Sequence, residues 1–176
     1  MAKKINSKAK GSRFERVVCK ALQDWSGYEF SRTPASGGLR WKKTDNISSD
    51  IVCSDPKHAH KFPFSIEVKN YKDIKFEHLL TGNKTCKIRE FWSQATRDAK
   101  RSGKIPVLIM RYNSMPKGEA FFVVGPALTQ WIFDKYAIKC MNIYLQDIQI
   151  GVFMFKEIQK EVKYKDLYKF SRNFLK

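Results

Sequence analysis

The sequence predicts an α/β fold, a central mixed sheet flanked by helices, followed by a C-terminal α+β extension. Three observations carry this. Apolar residues recur at helical spacing in two segments, 12–25 and 87–101,. They alternate at every second position over 62–69, as they do in a strand with two unlike faces,. Apolar runs at 106–112 and 120–124 then flank a turn-rich stretch, Asn113 to Gly118, as the two arms of a hairpin,. The order helix, three strands, helix, two strands puts a sheet between helical layers. The length of 176 residues suits one domain with an appendage,. The expected organisation is a flexible basic arm over 1–10, a main domain over 11–125 and an extension over 126–176 packed on it.

Each element has its own justification. MAKKINSKAK lacks apolar periodicity. Phe14, Val17, Val18, Ala21, Leu22 and Trp25 then line one helix face, with Ser12 as the expected N-cap and Ser26-Gly27 as the stop,. Glu15 falls about 100° around from Phe14, on the flank of that stripe, where a carboxylate can reach past the core edge into a cleft. Residues 28–33 have strand composition, and Pro34-Ala35-Ser36-Gly37-Gly38 breaks them,. A mobile loop is expected up to Ser49, carrying Arg40, Trp41, Lys42 and Lys43. Residues 50–53 form a short strand. Over 62–69, Phe64, Ile66 and Val68 face one way, while Ser65, Glu67 and Lys69 face the other,.

The second helix sets Ile88, Phe91, Trp92, Ala95 and Ala99 on its apolar side, beside Gln94, Arg97 and Arg101, and Gly103 ends it,. Beyond Gly125-Pro126 a short helix through Trp131, strands near 138–145 and 151–155, and a helical tail near 164–174 are expected. That tail interleaves Tyr164, Lys165, Tyr168, Lys169, Phe170 and Arg172. It reads either as a packed amphipathic helix or as a surface that stacks on and neutralises a nucleic acid.

The balance of 34 Lys+Arg against 17 Asp+Glu, a net charge of +17, creates a field that attracts polyanions, nucleic acid first among them,. Membrane-surface binding is a poor second, because the cations are spread over the chain and not gathered on one amphipathic helix. No apolar run approaches the roughly 20 residues that cross a bilayer. With 13 Phe, 7 Tyr and 4 Trp, the chain is too aromatic for general disorder,. Cys19, Cys53, Cys86 and Cys140 stand far apart without a CxxC pair or a preceding signal-like apolar segment, which suits free thiols in a cytoplasm,. His58 and His60 lack partners at a zinc spacing and are expected in a solvated loop without a role,.

Phosphodiester hydrolysis needs carboxylates converging on a divalent cation, with a positive side chain beside them. Asp50, Glu67 and Lys69 supply that set, provided two neighbouring strands carry them to one sheet edge. Glu-x-Lys on a strand by itself is equally an exposed ion pair.

The ordered set resembles the PD-(D/E)xK nucleases, with Ser49-Asp50 in place of Pro-Asp and Glu67-Val68-Lys69 as the ExK element. It is most similar to the archaeal-type Holliday-junction resolvases and their phage relatives. Four stretches carry the resemblance: residues 11–16, residues 32–38, Ser49-Asp50-Ile51, and Ile66-Glu67-Val68-Lys69.

The resemblance implies a restriction-endonuclease-like core and a metal-dependent endonuclease that resolves four-way or otherwise branched DNA. It further implies Mg²⁺, with Mn²⁺ as a substitute, held by Glu15, Asp50, Glu67 and the main-chain carbonyl of Val68. Lys69 would orient the water or stabilise the phosphate, and Ser36 would lie near the scissile phosphate. Arg16 and Arg32 would contact phosphates, with Arg13, Gly37, Gly38, Arg40, Lys42 and Lys43 on the same DNA-facing surface. Gln94 matches a helix glutamine of many such nucleases or is a plain surface residue, and Arg97 is solvated or phosphate-facing. Two symmetric incisions imply a homodimer, for which the apolar runs 121–124 and 150–155 are either the contacts or segments buried under the C-terminal helix. The alternatives are a restriction-type or repair nuclease of the same fold, and a noncatalytic nucleic-acid-binding protein.

Overall fold

The computed structural model describes residues 7–33, 49–81 and 86–175. Helix α1 (Ser7–Ser26) leads into strands β1 (Phe30–Arg32), β2 (Ile51–Cys53) and β3 (Phe64–Tyr71). Helix α2 (Lys87–Ser102), β4 (Ile105–Tyr112) and β5 (Phe121–Val124) follow. The chain continues through α3 (Pro126–Tyr136), β6 (Met141–Tyr144), β7 (Gln149–Met154), α4 (Phe155–Glu161) and α5 (Tyr164–Phe174). The strands form one seven-stranded sheet in the order β1-β2-β3-β4-β5-β7-β6. β3 and β4 run parallel, with Glu67 opposite Leu108, and the other neighbours are antiparallel. This is the mixed, helix-flanked sheet of a restriction-endonuclease-like α/β fold.

Both faces of the sheet are covered, so the alternation along β3 separates two apolar layers instead of a core from solvent. On one face Ile66, Val68, Ile109, Phe122 and Phe153 meet Phe14, Val18 and Leu22 of α1, Ile132 of α3, Ile158 of α4 and Leu167 of α5. On the other, Leu108, Met110, Val123 and Val152 pack with Ile88, Phe91, Trp92 and Ala95 of α2. Fit is close at α3, where a Cβ added to Gly151 would lie 2.2 Å from the Thr129 hydroxyl oxygen. The second helix, the hairpin and the Gly103 stop (φ 62°) stand as the sequence predicts.

Several details differ from the sequence-based expectation. The first helix begins at Ser7, so residues 7–10 are helical instead of belonging to a flexible arm. Lys8, Ala9 and Lys10 are good helix formers, and nothing among them stops the turn. Ser12 consequently lies inside the helix and does not cap it. The stop holds: Gly27 takes φ 75° and donates its N–H to the Gln23 carbonyl at 2.9 Å.

The extension joins the sheet, with β7 inserted between β5 and β6. The apolar runs offered as dimer contacts are used within the chain, since Phe121 to Val124 of β5 pair with Gly151 to Met154 of β7, and Ile150 pairs with Ile143 of β6. Helix α4 was not expected. The tail is a packed helix, with Tyr164 and Leu167 buried against the α1 side of the sheet. Two hydrogen bonds tie this region to the far end of α1: Trp25 Nε1 donates to the Val162 carbonyl and Gln159 Nε2 to the Ala21 carbonyl, each at 2.8 Å.

The four cysteines are free. His58 stacks on Tyr28 and sets Nδ1 3.0 Å from Asp55, while His60 lies in a 3-10 turn. Among the described residues no helix is long and apolar enough to cross a membrane.

Candidate active site

β1 and β3 are each antiparallel to β2, so they share a direction, and β4 follows β3. The carboxyl ends of three strands and the start of a fourth therefore meet at one end of the sheet. Asp50 stands there, just before β2. Its N–H donates to the Ile66 carbonyl at 3.1 Å and its carbonyl accepts the Thr33 N–H at 2.9 Å, which pins the backbone between β1 and β3. Its side-chain Oδ2 accepts the Val68 N–H at 2.8 Å.

N–H and C=O groups of alternate strand residues point to the same side. Ile66 presents its carbonyl to Asp50 and Val68 its N–H, so the Val68 carbonyl is directed to that side too.

Glu67 lies mid-strand on the opposite layer, 2% exposed. Lys69, two residues on and half-buried, donates its ammonium to Glu67 Oε1 and sits 5.8 Å from the centroid of the Phe91 ring on α2. The exposed-ion-pair explanation of Glu-x-Lys is thereby overturned, because α2 roofs the pair. Burial first, and then the neighbouring Asp50 charge, push the Glu67 carboxyl up to about 7, with Lys69 pulling in the other direction,.

Two carboxylates placed together, one of them buried, repel each other and relax when a cation enters. Their hard oxygen donors and the Val68 carbonyl fit Mg²⁺ or Mn²⁺.

Glu15, expected as a third acid of that set, is engaged by Arg32. Its Oε2 accepts Arg32 Nε at 2.5 Å, and Arg32 Nη2 also donates to the Ser12 hydroxyl at 2.9 Å. The guanidinium takes one oxygen, Oε2, of the carboxylate that the resemblance assigns to an ion. Among the described residues no group of three or more His, Cys, Asp or Glu side chains comes together as a metal site.

Arg13 and Arg16 are exposed on α1, Gln94 is half-buried on α2 and Arg97 is exposed one turn beyond. Ser36, Gly37, Gly38, Arg40, Lys42 and Lys43 lie outside the described residues. Sequence reasoning missed Phe91, whose place on the apolar stripe of its helix was visible but whose contact with Lys69 was not. It also missed Ser12 as a partner of Arg32, having assigned that hydroxyl to a cap.

Over residues 6–171 the sequence matches the family of phage PDDEXK endonucleases. The chain belongs to this family. Protein D14 of Escherichia phage T5 is 28% identical over 107 residues, 61% of this chain and 65% of that protein, so the alignment spans less than two thirds of the relative's length. Among solved structures, Hjc of Archaeoglobus fulgidus, a Holliday junction resolvase, aligns with a TM-score of 0.40 and 14% identity, covering 90% of this chain and 99% of that one. For a PDDEXK endonuclease, the juxtaposition of Asp50 with Glu67-Val68-Lys69 is the arrangement of interest.

Proposed function

We propose that this phage-type PDDEXK endonuclease cuts branched DNA, four-way junctions foremost, by Mg²⁺-dependent phosphodiester hydrolysis at the carboxyl ends of β1, β3 and β4. The observation that carries the reading is the pairing of the Asp50 and buried Glu67 carboxylates beside Lys69, in a chain of net charge +17.

Asp50, through the oxygen not bonded to Val68, would hold the ion together with Glu67 and the Val68 carbonyl. A divalent cation there acidifies water and offsets the charge that builds on the phosphate. Lys69 supplies a cation whose path is limited by the Phe91 ring on one side and Glu67 on the other. With the Glu67 carboxylate drawn to an ion, the Lys69 ammonium is freed to donate to a phosphate oxygen or to orient the attacking water. Arg32, steadied by Glu15 and Ser12, presents charge at the adjacent strand end, and Arg13 and Arg16 extend that charge along α1. Preference for branched DNA rests on the four sequence stretches shared with resolvases. Paired incisions then call for a homodimer, acting in the host cytoplasm.

The test is cleavage of matched linear duplex, flap and four-way DNA with Mg²⁺, Mn²⁺ or EDTA, with sedimentation of the free protein alongside. Preferential, symmetric cutting of the junction that EDTA abolishes is the expected result. Equal cutting of linear duplex would replace junction resolution with the restriction-type or repair reading. Binding without cutting in any metal would overturn the nuclease assignment.

A further inference from the structure

One strand along from the acid pair lies a group of cations that the proposed chemistry does not use. Arg111 pairs in register with Asn70, the residue after Lys69, and its guanidinium lies 5.8 Å from the centroid of the Phe14 ring on α1. One helical turn before Phe14, Lys10 reaches the same place and donates to Asn113 Oδ1. Arg111 Nη2 donates to the carbonyls of Met115 at 3.0 Å and Pro116 at 3.4 Å. Every one of these acceptors is neutral.

Two neighbouring cations without a carboxylate among the described residues repel each other. Burial, followed by the Arg111 charge, holds the Lys10 amine below the ordinary lysine range. Beside them two buried polar atoms lack partners: Arg111 Nε, a donor, and Asn70 Oδ1, an acceptor. A full positive pair, an unused guanidinium N–H and an unused amide oxygen are the complement of a tetrahedral oxyanion with a water or hydroxyl attached.

We infer that Lys10 and Arg111 form a phosphate-binding site that takes the DNA backbone phosphate next to the one being cut. Lys10 and the Arg111 guanidinium would each meet an oxygen of that phosphate, and water bonded to it would satisfy the buried Arg111 Nε–H and Asn70 Oδ1. Phe14 supports the guanidinium from beneath while its neighbour Glu15 holds Arg32, so the first turns of α1 set cations over both flanks of β3. The strand being cut would thus run across the sheet end from Arg32, past Lys69, to Arg111. This rests on the nuclease reading for the identity of the polyanion.

The experiment uses the full chain in EDTA, so that binding is read without cutting. It measures affinity for a duplex and for a four-way junction against salt, for the parent, Lys10→Ala, Lys10→Glu and Arg111→Lys. A control is Lys20→Ala, a surface lysine near Asp24 on the same helix. Loss of one phosphate contact should reduce the salt slope of log K by about 1 in Lys10→Ala, with a larger loss of affinity in Lys10→Glu. Lys20→Ala should leave the slope unchanged, and Arg111→Lys should keep part of the binding. In a second arm, inorganic phosphate should raise the melting temperature of the parent and not of Lys10→Glu.

Unchanged DNA slopes in both Lys10 variants overturn the site, whether or not free phosphate stabilises the parent. A reduced slope in a protein that never cuts DNA in Mg²⁺ would retain the site and remove the nuclease reading, so the two can fail separately.

Discussion

The sheet has two halves that are built on opposite terms. Around β5, β7 and β6, apolar side chains close on one another: Val123, Phe153, Ile132 and Ile158 are at most 1% exposed, and a single Cβ at Gly151 would collide with α3. Around the ends of β1, β3 and β4, the same backbone order carries a buried acid, a second carboxylate beside it and two cations, Lys10 and Arg111, whose acceptors among the described residues are neutral. The first arrangement stores stability, and the second draws on it by holding like charges close together. A 176-residue chain can afford the second because it contains the first.

The sharpest way to break this contrast is to remove the acids. Asp50→Ala or Glu67→Ala should cut DNA about a thousandfold or more slowly, about 4 kcal/mol of barrier, while binding junction DNA as well as the parent or better. Full cutting by Asp50→Ala would refute the site. In the other half, Phe153→Ala should cost about 3–5 kcal/mol of folding stability by denaturant melt, with cutting per folded molecule unchanged.

A titration sharpens the comparison further. The Glu67 carboxyl sits at about 7 in the fold against an ordinary 4.5. Between those values the metal-free folded state binds more protons than the unfolded state, so its stability falls as pH rises through the window and stays low above it. The loss is roughly 3 kcal/mol from the linkage of pKa to free energy. Denaturant melts in EDTA at pH 5 and pH 8 should show it, and the isosteric Glu67→Gln should flatten it. A parent protein equally stable at both values would contradict the buried, ion-free carboxylate. The smallest effect belongs to Phe91→Leu, which removes the ring beside Lys69. The cation–π contribution is about 0.5–1 kcal/mol, so kcat should fall about two- to fivefold with KM little changed.

What the sequence discloses follows the same division. Long periodic segments, α1, β3, α2 and the β4–β5 hairpin, are legible because every buried position repeats at a fixed interval. Helix α4 is not, since the seven residues from Phe155 to Glu161 are too short to display a period. The acid-x-lysine set can be read from residue types, whereas the Arg32 grip on Glu15 cannot, because it depends on how α1 lies across β1. Lys10 and Arg111 escaped notice for different reasons. One sits in a basic run read as an arm, and the other is a single cation at the end of an apolar strand, where polar residues are ordinary.

Helix α1 carries a mechanical consequence. It is fastened near Trp25 and Ala21 by Val162 and Gln159, while its opposite end stands over the strand ends with Lys10, Ser12 and Glu15. At 1.5 Å per residue, the arm from Trp25 to Lys10 is about 22 Å long, and a tilt of about 5° at the fastened end would swing the tip by about 2 Å. Phe14, Val18 and Leu22 packed on the sheet oppose such a tilt, so the C-terminal hydrogen bonds and that packing together hold Lys10 and Glu15 in place over the strand ends.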